Sequence, residues 1–131
     1  FPYTTLFRST TMVLVDERGC YRGGVFVPGV ELGLRALSAG TSLLPDISLA
    51  PPKKVIGTNT VEAIRSGAAY GTAAMIDGMI ERMEEEAGCC CRVIATGRLS
   101  KSITAYCRKE VICDENLILK GLWVLYQKNM K

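Results

Sequence analysis

The sequence contains no histidine. That excludes any Ser-His-Asp or Cys-His catalytic set and removes the commonest metal ligand. Aromatic residues make up only 7% of the chain, with a single tryptophan, Trp123. No apolar run approaches the roughly 20 residues needed to cross a bilayer. No basic segment followed by a hydrophobic stretch and a cleavage site marks a secretory leader. Neither a P-loop nor a Gly-x-Gly-x-x-Gly turn after a strand is present. Charge is nearly balanced, with 16 Lys and Arg against 13 Asp and Glu. The densest basic group, Arg98, Lys101, Arg108 and Lys109, is broken by apolar residues, which argues against a nucleic-acid partner. The expectation is a cytoplasmic chain with neither a membrane nor a nucleic acid as partner.

What remains is the composition of one soluble domain: 131 residues, 48% hydrophobic and 22% charged. A chain of this length can bury a real core. Its six cysteines include the triplet Cys89-Cys90-Cys91. Adjacent residues cannot converge on one ion without strain, and no C-x-x-C spacing occurs, so reduced thiols without a metal are expected. A thiol-dependent role for the triplet lacks the ligand spacing it would need.

Residues 2–9 show no periodicity that continues into the next segment. They look like the in-frame translation of a short-read sequencing adapter, so residues 1–9 read as a scar and 10–131 as one α/β domain. Thr11–Val15 is a β-branched, apolar run expected to form a buried strand. Asp16–Gly19 carries turn chemistry, and Cys20–Val27 returns to complete a hairpin. Val30, Leu34 and Leu37 have helical spacing, with Leu43-Leu44-Pro45 closing that segment. Pro51 and Pro52 mark an extended loop.

A long helix is predicted from Thr60, capped by Asn59 with Glu62 three residues on. Its core stripe is read as Val61, Ile64, Ala68, Met75, Met79 and Met83, flanked by Ile76 and Ile80. Gly67, Gly71 and Gly78 would weaken an isolated helix, so they suggest close approach by another backbone. Glu81 and Glu84 to Glu86 form a solvated tail, stopped by Gly88. Strands at Arg92–Ala95 and Val111–Cys113 and helices from Leu99 and over Leu117–Gln127 complete an α/β order. Ile118, Leu122 and Leu125 should form the buried side of the last helix. A strand edge left open at Thr11–Val15 invites aggregation.

Glycine-bearing turns beside helices are where α/β proteins bind phosphates, because backbone N–H groups face the ligand. Three places qualify: Gly23-Gly24 with Pro28-Gly29, Gly57-Thr58-Asn59-Thr60, and Thr96-Gly97. Each has an ordinary alternative, a bulge for the glycine pair and a helix cap for Thr60. Asp16, Asp46, Asp77 and Asp114 are scattered, and no catalytic set is visible.

The combination is more specific than its parts. Val15-Asp16-Glu17-x-Gly19 is followed by Gly23-Gly24-x-x-x-Pro28-Gly29 and Leu44-Pro45. Then come Ile56-Gly57-x-Asn59-Thr60-Val61-Glu62-Ala63-Ile64-x-Ser66-Gly67, Val93-Ile94-Ala95-Thr96-Gly97 and Leu117-x-Leu119-Lys120-Gly121-Leu122. In order and spacing this series resembles the type III pantothenate kinases, over about Thr10 to Asn129. The resemblance implies a ribonuclease-H-like, actin-like ATPase domain, here truncated at its N-terminus. It implies a homodimer that phosphorylates pantothenate from ATP, the first step of coenzyme A synthesis. It also implies a divalent metal with ATP and a monovalent cation, potassium or ammonium. By the same resemblance Thr60, with Asn59 beside it, lies on the pantothenate side. Thr96 and Gly97, with Gly23 and Gly24, lie on the nucleotide side.

Two departures stand out. Arg98 occupies the second glycine of the family's Thr-Gly-Gly, where a side chain crowds a backbone approach. The family's Asp-x-Gly-Asn-Thr loop, its Gly-x-Asp-Arg segment with the catalytic Asp, and its Asp-x-Gly-Thr motif should all precede Thr10. The chain is therefore expected to hold no catalytic or metal-binding residue and to be inactive alone. The alternative is a non-catalytic binding or dimerisation module of the same superfamily.

Overall fold

A computed structural model describes residues 9–40 and 47–130. Leu43-Leu44-Pro45 and Asp46 fall outside the described residues, as does the segment read as a scar up to Arg8. Two compact units divide the chain, Phe1–Thr72 and Ala73–Lys131. The architecture is mixed α/β, with two small two-stranded sheets.

In the first unit, β1 (Ser9–Val15) and β2 (Tyr21–Pro28) form the expected antiparallel hairpin. The turn is built by Asp16, whose Oδ1 accepts the N–H groups of Arg18 and Cys20 at 3.0 and 2.8 Å. Gly19 closes it at φ 78°, a left-handed conformation that suits glycine. The strand pattern alternates, and only one face is covered. Val13, Val15 and Phe26 stand on the other face, exposed, so β1 is half-buried rather than the buried strand its composition suggested. Helix α1 (Val30–Ala39) buries Val30 and Leu34, whereas Leu37 is exposed.

The long helix exists, but with a break in its period. Helix α2 (Thr60–Ser66) passes into a π-helical turn at Gly67–Gly71 before α3 (Thr72–Ala87) resumes. The most buried positions are Ser66, Ala69, Ala73 and Ile80, not the methionine stripe. Met75, Met79 and Met83 are only half-buried. The π turn holds more residues per turn than an α turn and so shifts the phase of the helix beyond it. A single 3.6-residue period therefore missed Ala73, while Ile80, read as flanking the stripe, is buried. Small residues do mark the closest packing, as expected, but they are Ser66 and the two alanines. A Cβ on Gly67 or Gly71 would meet nothing within 4 Å.

In the second unit β3 (Ile94–Ala95) and β4 (Ile112–Cys113) pair in parallel, each shorter than its apolar run. Helix α4 (Ser100–Thr104) lies against β4 and buries Ile103. Helix α5 (Leu117–Asn129) buries none of its residues. Ile118, Leu122 and Leu125, expected to face a core, are exposed. No other described element of this chain covers them, and periodicity alone cannot supply a partner.

Candidate functional site

The head of α2 is the most organised of the three glycine-bearing turns. Asn59 has extended backbone, φ −144° and ψ 168°, and its Oδ1 accepts the Glu62 N–H at 2.9 Å. Glu62 reaches back, and its Oε2 accepts the Thr58 N–H at 3.2 Å and the Thr58 hydroxyl at 2.9 Å. This reciprocal box satisfies N–H groups that a helix start would otherwise leave unpaired. Gly57 lies so close to this first turn that a Cβ would run into the backbone of Glu62 and Ala63. Deeper in, the buried Ser66 hydroxyl donates to the Val55 carbonyl and ties the incoming loop to the helix. Asn59 is thus the cap. Thr60, the first helical residue, is exposed.

Glu62 is held below its ordinary value of 4.5, first by the Thr58 N–H, then by the Thr58 hydroxyl, with Lys54 and Lys53 adding to the effect. Glu84 is likewise lowered, first by the Cys91 N–H at 2.8 Å and then by Lys109 Nζ at 2.9 Å. A carboxylate with a depressed folded pKa stabilises the fold at pH above its unfolded value and stops doing so as pH falls through the folded one. Stability should therefore fall as pH drops below about 4.5. Urea midpoints for the chain and for Glu62→Gln, measured from pH 7 to pH 3, test this. The variant should show a shallower decline, and an identical one would assign the acid sensitivity elsewhere.

Gly23 and Gly24 sit within β2 rather than at a strand-to-helix turn. Gly23 has φ 134° beside a register irregularity, and a Cβ on Gly24 would strike the Met12 carbonyl of the neighbouring strand. Their geometry serves the hairpin. Thr96 and Gly97 follow β3, both exposed, with Gly97 at φ 104°. The Gly97 carbonyl accepts the Ser100 N–H at 3.1 Å and the Ser100 hydroxyl at 2.7 Å. Arg98 is exposed at the next position. Thr60 belongs to the first unit and Thr96 to the second.

Sequence patterns alone missed a clamp at Asp77. Its Oδ2 accepts the Arg108 N–H at 2.8 Å and its Oδ1 the Lys109 N–H at 3.0 Å. Glu84, placed in a solvated tail by its neighbours, is only 17% exposed and paired to Lys109. The signal was available: an acidic residue every turn on an otherwise apolar helix face, with a basic pair some thirty residues on. Two thiols, Cys107 and Cys91, are held in the protonated form. Burial pushes Cys107 up to about 11 and also raises Cys91, the opposite of what a nucleophile needs.

Comparison with known proteins adds the decisive observation. Residues 8–82 match the family described as type III pantothenate kinase. The chain belongs to that family. It is 41% identical over 122 residues to the type III pantothenate kinase of Halalkalibacterium halodurans, covering 93% of this chain and 48% of the relative. It is 44% identical over 127 residues to that of Rubrobacter xylanophilus, again covering 48% of the relative. The chain therefore spans about half the length of the curated kinases it matches. A solved structure of a Campylobacter jejuni protein, described as a Baf family transcriptional activator, superimposes with a TM-score of 0.63. Identity there is 18%, over 93% of this chain and 54% of that one, so the likeness is one of fold. Within the type III pantothenate kinase match lie Gly23, Gly24, Asn59 and Thr60, while Thr96 and Gly97 lie beyond residue 82.

Proposed function

We propose that this chain is the C-terminal part of a cytoplasmic kinase that phosphorylates pantothenate with ATP, opening coenzyme A biosynthesis. On this reading it has the actin-like ATPase fold and works as a homodimer when whole. Thr60 and Asn59 contact pantothenate, and Thr96 and Gly97 lie toward the nucleotide. The observation that carries the reading is the head of α2. There the capping box occupies the Asn59 side-chain Oδ1 and leaves Thr60 exposed, inside the segment matched by the family. Among the described residues nothing accepts from the Asn59 amide nitrogen, whose two N–H donors suit a ligand. A poly-hydroxylated, amide-bearing acid such as pantothenate suits a hydroxyl and an amide on a rigid helix start. Lys101 and Lys109 are paired with Glu115 and Glu84, which supports a site for small molecules rather than nucleic acid.

Kinase chemistry implies ATP with a divalent metal, and for this family we add potassium or ammonium. Among the described residues no cluster of carboxylates or thiols could hold a metal. Asp77 is committed to two backbone N–H groups, Glu84 to Lys109 and Asp114 to Lys120. The donors present do not fit a metal–nucleotide site, so no step through the metal is assigned to this chain. Phosphoryl transfer depends on positioning and on neutralising the phosphates. Those groups, with the general base, belong to the half of the relatives that this chain does not span.

The purified chain, given ATP, magnesium, potassium and pantothenate, should release no phosphopantothenate above background. Supplying the remaining half of the H. halodurans kinase should restore turnover. Thr60→Val in that mixture should raise KM for pantothenate about tenfold with little change in kcat, as expected for losing one ground-state hydrogen bond. Turnover by the chain alone would overturn the division of labour, and an unchanged KM would remove Thr60 from the site.

A second reading, a non-catalytic dimerisation module, rests on the open space beside Gly67 and Gly71. Sedimentation of the chain tests it, and a monomer at all concentrations would end it.

A further inference from the structure

The fold sorts three adjacent thiols that the sequence leaves equivalent. Cys89, Cys90 and Cys91 are free thiols, and among the described residues no group of side chains could hold a metal ion. They follow α3 at Gly88, whose φ of 70° turns the chain out of the helix. Glu84 organises what comes next. Its carbonyl accepts the Gly88 N–H at 2.9 Å and the Cys89 N–H at 3.3 Å. Its Oε1 accepts the Cys91 N–H at 2.8 Å, while its Oε2 is held by Lys109 Nζ at 2.9 Å. Cys89 and Cys91 therefore hang from one residue, with Cys90 exposed between them. The Cys91 thiol is half-buried and turned back, its Sγ donating to the Cys89 carbonyl at 3.9 Å.

Disulfide geometry chooses among the three pairs. Bridged cysteines keep their Cα atoms roughly 4.4–6.8 Å apart, whereas neighbours across a trans peptide are held at about 3.8 Å. The adjacent pairs, Cys89 with Cys90 and Cys90 with Cys91, are too close for an unstrained bridge. Two steps along the chain span about 5.5–7 Å, which overlaps the range a bridge accepts. Cys89 and Cys91 are that pair. Electrostatics agrees with the geometry. Burial raises the Cys91 thiol first, and of the charges that add to it Cys89 is the strongest and Cys90 the weakest.

We propose that Cys89 and Cys91 form a redox-active dithiol, closed to a disulfide by a low-molecular-weight disulfide such as oxidised glutathione, with Cys90 a bystander. Cys89 is exposed and is reached first. Its thiolate attacks one sulfur of the oxidant, forming a mixed disulfide and expelling one glutathione thiolate. The Cys91 sulfur, as thiolate, then attacks Cys89 Sγ and expels the second. The two cysteines give up two electrons and two protons; the oxidant takes the electrons, and its two thiolates take the protons. Cys91 keeps its proton until the second step, which suits a resolving and not an attacking thiol. Transient, redox-sensing disulfides are the kind that reducing compartments tolerate. Cys89 and Cys91 lie beyond residues 8–82, so the dithiol stands or falls independently of the kinase activity.

The reduced chain is incubated at neutral pH with one equivalent of glutathione disulfide. Free thiols are then blocked with light iodoacetamide, and disulfides are reduced and labelled with the heavy reagent. The expected product is lighter than the reduced chain by the two thiol hydrogens. Heavy label should fall on Cys89 and Cys91, and light label on Cys90. Cys90→Ser should react at the parent's rate, whereas Cys91→Ser should stop at the Cys89 glutathione adduct. Glu84→Ala removes the anchor of Cys91 and should slow ring closure at least about tenfold, by lowering the effective concentration of the second thiol. Lys109→Met keeps that anchor and should close at the parent's rate, which separates the Cys91 contact from loss of the ion pair. Heavy label on Cys90, an adduct that never resolves in the parent, or a bridge between two chains overturns the proposal. So does equal ring closure in Glu84→Ala and the parent, which would reduce the pairing to proximity in sequence.

Discussion

Gly57→Ala is expected to destabilise the first unit by about 2–3 kcal/mol, the usual cost of forcing atoms into a packed site with no room to yield. For a unit of this size that lowers the melting temperature by roughly 10–20 °C. The new methyl group would lie against the backbone of Glu62 and Ala63, not against a flexible side-chain end. Moving that backbone breaks the box in which Asn59 and Glu62 satisfy each other's ends of the turn. Gly67 is the control. A Cβ there meets open space, and alanine removes part of the entropy cost of glycine in a helix, so Gly67→Ala should be neutral or stabilise by up to about 1 kcal/mol. Thermal melts followed by circular dichroism separate the two. Equal effects from both glycines would show that helix propensity, and not the close approach, governs this region.

Asp77→Ala should cost the second unit about 2–3 kcal/mol, because a charged acceptor serving two N–H groups is worth more than a neutral bond. Its carboxylate holds the Arg108 and Lys109 backbone, and Lys109 in turn reaches Glu84, whose other oxygen holds Cys91. Removing the first link loosens three chain segments at once. Asp77→Asn keeps one acceptor oxygen and should lose about half as much. Urea unfolding at neutral pH measures both. Lys109 backbone amide exchange should speed up in Asp77→Ala, and unchanged protection there would mean the loop is held by other contacts.

Several features were legible because they are local. The hairpin follows from a β-branched run, an Asp that caps its own turn and a glycine at positive φ, and all three occur where expected. The start of α2 follows from Asn59 and Glu62 for the same reason: a capping box is written within four residues. The motif series, too, is a property of order and spacing, and it named the family correctly.

The failures share a different cause. The methionine stripe was placed by extending one helical period along the whole of Thr60–Ala87, and a π turn at Gly67–Gly71 shifts the phase beyond it, where Ala73 and Ile80, the latter read as flanking the stripe, are buried and the methionines only half-buried. Ile118, Leu122 and Leu125 on α5 were taken as buried because they are apolar at helical spacing, yet each is exposed. Burial requires a partner surface, and composition does not say whether one is within reach. Asp77 and Glu84 looked like scattered solvent charges because their partners lie some twenty-five to thirty-two residues away.

What the sequence determined by itself was local conformation and ancestry: turns, caps, the succession of helices and strands, and membership of a kinase family. Those depend on interactions between near neighbours or on motif order, both present in a linear string. Only the tertiary structure decided which glycines are sterically required, which carboxylates are already spent on backbone N–H groups, and which apolar face lacks a neighbour. Each of these is a relation between distant segments, fixed by where the backbone goes and not by what any one residue prefers.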